Sequence, residues 1–282
     1  MAHVLIIGCG YVGIALGQRL LGKDHVVWAL RRNPAELPVS FKPIEADLLV
    51  PNTLRHLPDV DYVFYTAAPD SRDEKSYQAI YLQGLKYTLA ALEQKKHKPQ
   101  RVFFTSSTSV YSQSDGQWVD EESKTDGNQP SSEILLQAEK FLKQSSLPST
   151  VVRLSGIYGP GRTRLLESVK EGQASYSEDQ VSYTNRIHRD DCAGVLAHLM
   201  QQQKPEALYL ASDHDPVDRK TLLCWIATRL AAPAPKSSTQ AQGRNRSNKR
   251  CLNEKLLKSG YVFRYPSYKE GYNMIIERMS IR

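Results

Sequence analysis

Residues 4–13 read Val4-Leu-Ile-Ile-Gly8-Cys9-Gly10-Tyr11-Val12-Gly13, and this stretch decides the fold. A run of apolar residues with no polar alternation is a strand covered on both faces, as in a parallel sheet. The glycines follow at G-x-G-x-x-G spacing: Gly8 permits a tight bend, Gly10 lets the backbone approach a pyrophosphate, and Gly13 lets the next helix pack close to the strand. That helix opens at Tyr11 and aims its unpaired N–H groups and positive dipole end at the same point. Gly8, Gly10, Tyr11, Val12 and Gly13 are therefore the expected phosphate-binding turn of a dinucleotide site.

Outward from the turn, apolar runs alternate with helical patterns, as repeated βα units require. Strands are expected over His3–Gly8, His25–Leu30, Lys42–Ala46, Tyr62–Thr66, Arg101–Thr105 and Thr150–Leu154, and helices over Tyr11–Leu21, Ser76–Gln94 and Ser132–Gln144. Six such strands make a doubly wound sheet. After Leu154 the alternation breaks down into helices over Leu165–Glu171, Asp190–Gln202, Arg219–Ala231, Leu252–Ser259 and Glu270–Arg278, with a further strand at Ala207–Ala211. The fold class is thus α/β, a Rossmann-like doubly wound parallel sheet with a smaller mixed C-terminal substrate lobe. The nucleotide domain is expected over 1–155 with a return segment at 184–215, and the lobe over 156–183 and 216–282.

Roughly twenty residues past the glycines, where an acid would hold the ribose 2′-hydroxyl of NAD, the chain reads Leu30-Arg31-Arg32. Two guanidiniums there suit a 2′-phosphate, so the expected cofactor is NADP, with NAD disfavoured. Asp47 and Leu48, Ala67 and Ala68, and Thr105 and Ser106 lie at the carboxyl ends of the following strands, where adenine and ribose edges belong.

Composition narrows the partners. The 282 residues carry 37 Lys and Arg against 30 Asp and Glu, a net charge of +7 that favours anionic small molecules. No aromatic platform stands beside the basic segments, so nucleic acid is not expected. The apolar run Val4–Gly17 is too short and too Gly-rich for a membrane span or a leader, which points to the cytoplasm and no membrane partner. Cys9, Cys192, Cys224 and Cys251 form no C-x-x-C pair, so neither zinc nor a disulfide framework is expected. The segment 232–250 is rich in Pro, Ser and Gln, carries Lys236, Arg244, Arg246, Lys249 and Arg250 without an acid, and reads as a mobile surface loop that also has the charge to cover an anionic substrate. A monomer or a homodimer fits equally.

Three further motifs follow in order: Phe104-Thr-Ser-Ser107-Thr-Ser-Val-Tyr111, Arg153-Leu-Ser-Gly-Ile-Tyr158-Gly-Pro-Gly161 and Ile187-His188-Arg-Asp190-Asp191. Together with the glycine turn they resemble the extended short-chain dehydrogenase/reductase family, the NAD(P)-dependent epimerase/dehydratase group that includes UDP-galactose 4-epimerase. The resemblance implies that Ser107 polarises a substrate hydroxyl or carbonyl, that Tyr158 shapes the turn beside the nicotinamide, and that the His188 motif is a structural return to the sheet rather than a metal site. It also exposes a gap. The family's catalytic Tyr-x-x-x-Lys would fall, in the frame set by Pro130 and Ala138-Glu139, on Ser131 and Leu135, and Tyr81 stands where the family usually places an Asn. Tyr111 is the nearest candidate for a replacement acid, although a packing role suits it as well. Arg162 and Arg186, with Arg164, are the cations expected to hold a substrate phosphate or carboxylate. These features imply an NADP-dependent oxidoreductase or epimerase-like enzyme for a sugar-nucleotide or other small polar anion; the alternative is a non-catalytic protein that senses NADP(H) or a nucleotide.

Overall fold

The computed structural model describes residues 1–127, 129–238 and 247–280. In chain order the elements are β1 (His3–Ile7), α1 (Tyr11–Leu21), β2 (Val26–Arg31), β3 (Lys42–Glu45), β4 (Tyr62–Tyr65), α2 (Glu74–Tyr77), a π-helical stretch (Gln78–Gly84), α3 (Leu85–Glu93), β5 (Arg101–Ser107), β6 (Gln117–Val119), α4 (Pro130–Gln144) and β7 (Ser149–Leu154). They continue with β8 (Gly156–Tyr158), α5 (Arg164–Lys170), β9 (Ser175–Tyr176), β10 (Tyr183–Thr184), β11 (Arg186–His188), α6 (Arg189–Gln201), β12 (Leu208–Ala211), β13 (Val217–Asp218), α7 (Arg219–Leu230), β14 (Lys236–Ser237), β15 (Lys249–Cys251), α8 (Glu254–Lys258) and α9 (Tyr268–Ser280).

The chain forms two compact units. The first comprises Met1–Val110, Asp126–Arg153 and Cys192–Tyr209; the second comprises Tyr111–Thr125, Leu154–Asp191 and Leu210–Arg282. The first is built on a parallel sheet in the order β12-β7-β5-β4-β1-β2-β3. Val4, Leu5, Ile6 and Ile7 of β1 and Val63, Phe64 and Tyr65 of β4 are fully buried, as strands covered on both faces must be. The strand order reverses between β1 and β4, and ligands of such sheets bind outside the carboxyl ends at that point. Register delivers the relevant residues there: Ile7 faces Leu30 of β2 on one side and Tyr65 of β4 on the other, so Gly8, Arg31 and Thr66 emerge at one edge.

Three expectations need correction. Among the described residues the sheet has seven strands, because the segment expected as a further strand near Ala207 is β12, which extends this sheet at its edge after the α6 crossover. The helix expected over Ser76–Gln94 is not uniform: it begins at Glu74, capped by the Asp73 carboxylate, and passes through the π-helical stretch before α3. Tyr65 causes part of this local geometry, since its hydroxyl donates to the Ile80 carbonyl, and Gly84 is required because an added Cβ would stand 2.9 Å from that hydroxyl.

The third correction concerns the described ends of the basic segment 232–250, since 239–246 lie outside the described residues. Within the second unit, Lys236 belongs to β14, which pairs with β9, and Lys249 and Arg250 belong to β15, which pairs with β6. Lys249 is buried and donates to the Tyr111 carbonyl at 3.0 Å and to the Ser247 hydroxyl, and burial lowers its pKa. Arg250 lies between the rings of Trp118 and Tyr183, at 4.6 and 4.8 Å, and donates to the Gly116 carbonyl. Lys249 and Arg250 are structural, because pairing of β15 with β6 draws them into the unit, whereas Lys236 stays exposed. Arg244 and Arg246 lie outside the described residues. The core of this unit gathers Leu166, Val169, Leu222, Leu223, Ile226, Tyr268, Tyr272 and Ile275 around Tyr158.

Candidate functional site

The glycine turn is held from both sides. The N–H groups of Gly8 and Cys9 donate to the Leu30 carbonyl at 3.0 and 3.1 Å, and the Thr66 hydroxyl bonds the carbonyls of Ile7 and Gly8. Gly8 has φ +68°, and an added Cβ would stand 2.2 Å from the Ala67 Cα, so neither the conformation nor the space admits a side chain. At Gly10 the opposite holds: an added Cβ would meet nothing nearer than the Gly8 carbonyl oxygen at 3.8 Å, which leaves the face above the turn open. Helix α1 starts there with no side-chain cap and no acid in its first turn. That combination fits a dinucleotide pyrophosphate, which would take the place of a cap. Cys9 is buried and its thiol is pushed up to about 12 by desolvation, so it is an inert small residue in the turn.

Arg31 and Arg32 emerge from β2 beside the turn, but each already has a carboxylate. Arg31 Nη2 lies 3.3 Å from Glu36 and Arg32 Nη2 lies 2.6 Å from Asp70. The Asp47 carboxylate accepts the Leu49 N–H and organises its own turn, and Leu48 is buried against Gly84. Ala67 is buried under Gly8, whereas Ala68 is exposed.

At the end of β5 the side chains divide between interior and edge. The Thr105 hydroxyl donates to the Tyr65 carbonyl. Ser106 is buried and its hydroxyl donates to Glu139 Oε1 at 2.6 Å, which corrects its expected role at the cofactor: strand alternation turns this side chain toward α4. Arg153 of β7 holds the same carboxylate bidentately, Nε to Oε1 at 3.0 Å and Nη2 to Oε2 at 2.6 Å. Ser107 points to the edge, where its oxygen accepts the Ser109 N–H at 3.1 Å and leaves its own proton to donate. Ser132 anchors the same turn by donating to the Ser109 carbonyl at 2.8 Å. Leu135 is buried in the core of the unit, and Tyr81 packs edge-on against Phe104.

In the second unit, Tyr111 is completely buried. Tyr158 is buried, its hydroxyl donates to the Ser267 carbonyl, and desolvation raises its pKa. Gly271 makes this possible, since an added Cβ would collide with the Tyr158 hydroxyl. Arg162 is exposed, with a long contact of 3.4 Å to the Ile157 carbonyl. Arg186 stands over the Tyr272 ring at 5.7 Å, and its buried Nε has no acceptor. Nearby, Asp213 is 1% exposed, one of its oxygens accepts the Asp215 N–H, and the other has no partner. Burial raises the Asp213 pKa well above the usual carboxylate range, against the opposing effect of Arg186. The His188 motif is spent on structure: His188 Nδ1 accepts the Asp190 N–H, and Asp191 accepts from the Tyr261 hydroxyl and the N–H groups of Arg264 and Tyr265.

Residues 8–203 match the family model described as NAD(P)H-binding. The chain belongs to the NAD(P)H-binding family. Among solved structures, this NAD(P)H-binding chain is 35% identical to a Methylobacillus flagellatus protein described as an NAD-dependent epimerase/dehydratase, with 99% of each chain covered and a TM-score of 0.85. It is 25% identical to protein YeeZ of Escherichia coli K12, over 94% of this chain and 97% of that one. The human epimerase family protein SDR39U1, solved with NADPH, shares the fold at 18% identity and a TM-score of 0.82, covering 98% and 99% of the two chains. No helix among the described residues is long and apolar enough to cross a membrane.

Sequence reading of this NAD(P)H-binding chain missed Arg153 and Asp70 in the first unit and Asp213 in the second. Arg153 carried a usable signal, since an Arg inside a buried strand demands an acid, and Glu139 was the acid on the facing helix. Asp70 and Asp213 carried none, being ordinary loop acids until the fold places them.

Proposed function

We propose that this chain is an NADP-dependent oxidoreductase or epimerase-like enzyme for a small polar anionic substrate, with a sugar-nucleotide as the best-fitting class. The observation that carries the reading is the uncapped, acid-free N-terminus of α1, open above Gly10, next to Arg31 at the end of β2 and Arg32 just after it. Gly8, Gly10, Tyr11, Val12 and Gly13 would receive the pyrophosphate, Arg31 and Arg32 a 2′-phosphate, and the strand ends at Asp47, Leu48, Ala67, Ala68 and Thr105 would border the adenine and ribose, Leu48 and Ala67 from below. Bound NADP(H) would supply or accept the hydride.

Ser107 then orients the substrate. Its oxygen is fixed by the Ser109 N–H, its proton is available, and a hydroxyl can serve either a carbonyl or an alcohol. Within the second unit, Arg186 lies half-buried over the Tyr272 ring with no acceptor for its Nε, an arrangement that suits a phosphate or carboxylate. Calorimetric titration with NADPH and NADH tests the cofactor part: tighter NADPH binding is expected, and absence of binding by either nucleotide ends the reading. A second reading, a sensor without turnover, is favoured by Leu135, since a buried leucine cannot lower the pKa of an acid. Single-turnover oxidation of bound NADPH by any member of a sugar-nucleotide panel would exclude it.

A further inference from the structure

Arg31 and Arg32 are held by carboxylates from two different loops. Glu36 comes from the short turn after β2, where the Asn33 side chain accepts the Ala35 N–H, and Asp70 comes from the loop after β4 that also carries Ala67 and Ala68. The side chains of both acids are mostly exposed, at 75% and 79%. The Asp47 charge acts on Arg32 as well. Each of the two guanidiniums that would receive a 2′-phosphate is therefore paired with a carboxylate in the free protein. Solvent-exposed ion pairs are weak, whereas a phosphate monoester brings nearly two charges and three acceptor oxygens that a guanidinium takes bidentately. Such a phosphate displaces either carboxylate, but it must separate the pair and then tolerate the released acid nearby.

We propose that Asp70 and Glu36 are specificity-determining residues: they occupy Arg32 and Arg31 until a 2′-phosphate displaces them, and so moderate the discrimination between NADP(H) and NAD(H). This inference rests on the cofactor reading above. It predicts that Asp70→Asn and Glu36→Gln each tighten NADPH binding by up to about fivefold, with NADH affinity unchanged. The gain shrinks as salt is raised from low to moderate ionic strength, because the competing charges are exposed. Glu254→Gln, which removes an exposed acid paired with Lys258 in the second unit, leaves both affinities unchanged.

The test is calorimetry of NADPH and NADH on the wild type and these variants, with circular dichroism to verify the fold. A wild type that binds neither nucleotide overturns the cofactor reading and this inference together. A wild type that binds, with an NADPH-to-NADH ratio that neither variant changes, overturns this inference alone. Weaker NADH binding in Asp70→Asn also overturns it, and would make Asp70 a ligand of the ribose hydroxyl.

Discussion

Ser106 donates its hydroxyl to Glu139 Oε1 across 2.6 Å, and the same carboxylate is clamped by Arg153. This buried trio ties β5, α4 and β7 together immediately behind Ser107, so the edge residue is held by an interior network. Removing one partner of a buried pair strands a charge and costs about 3–5 kcal/mol, whereas replacing both by apolar residues is close to neutral. Glu139→Ala is therefore expected to lose about that much stability in urea unfolding, and Glu139→Leu with Arg153→Met to recover most of it. A purely additive double variant would contradict the coupling.

Gly8→Ala meets two obstacles at once, a positive φ and the Ala67 backbone. Strain and overpacking of this kind together cost about 2–5 kcal/mol. Denaturant midpoints should fall accordingly, and nucleotide affinity should fall with them because the turn must shift.

Arg31→Asp should move preference from NADPH toward NADH. The wild-type guanidinium is free to exchange Glu36 for a phosphate, whereas an aspartate repels the phosphate and accepts a ribose hydroxyl. Equal affinity ratios before and after, read by calorimetry, would refute the Arg31 assignment.

Ser107→Ala and Ser131→Ala should separate cleanly. Ser107 presents a proton at the edge of the sheet, and its loss should slow hydride transfer by about a hundredfold, or 2.7 kcal/mol. Ser131 lacks the acidity of the phenol whose place it takes and has no part in the proposed chemistry, so a twofold change or less is expected in single-turnover rates.

His188 sets an acid limit on stability. Burial, with Arg189, Arg264 and Arg278 against the opposing effect of Asp190, lowers its pKa from 6.5 to about 4. The folded ring stays neutral while the unfolded ring protonates below 6.5, so its contribution is complete above 6.5 and is lost as pH falls toward 4. Asp191 and Asp213, whose pKa values are raised, act in the opposite sense and lose stability as pH rises. They are common to wild type and His188→Gln, so the difference between the two unfolding curves isolates the histidine. Wild type should lose more stability than the variant between pH 6.5 and 4.5, and parallel curves would rule the assignment out.

Much of the first unit was legible in advance. The helix expected over Tyr11–Leu21 lies within those bounds, and β1 and β2 fall within a residue of the expected strands, because unbroken apolar runs and glycine spacing are local properties. The second unit was legible mainly in its helices. Strands of two or three residues such as β6, β13 and β15 have no periodicity to read, and the pairing of β15 with β6 is what drew Lys249 into the interior.

The sequence by itself determined the doubly wound sheet and the place of the glycine turn at Gly8, Gly10 and Gly13, because apolar runs and glycine spacing depend on neighbours only a few positions apart. Tertiary structure alone decided how the polar side chains are spent. Ser106 meets Glu139 across 33 positions, Arg32 meets Asp70 across 38, and Lys249 meets the Tyr111 carbonyl across 138. A charged side chain is drawn to whichever acceptor the fold brings within about 3 Å, and that choice is made by packing rather than by spacing along the chain.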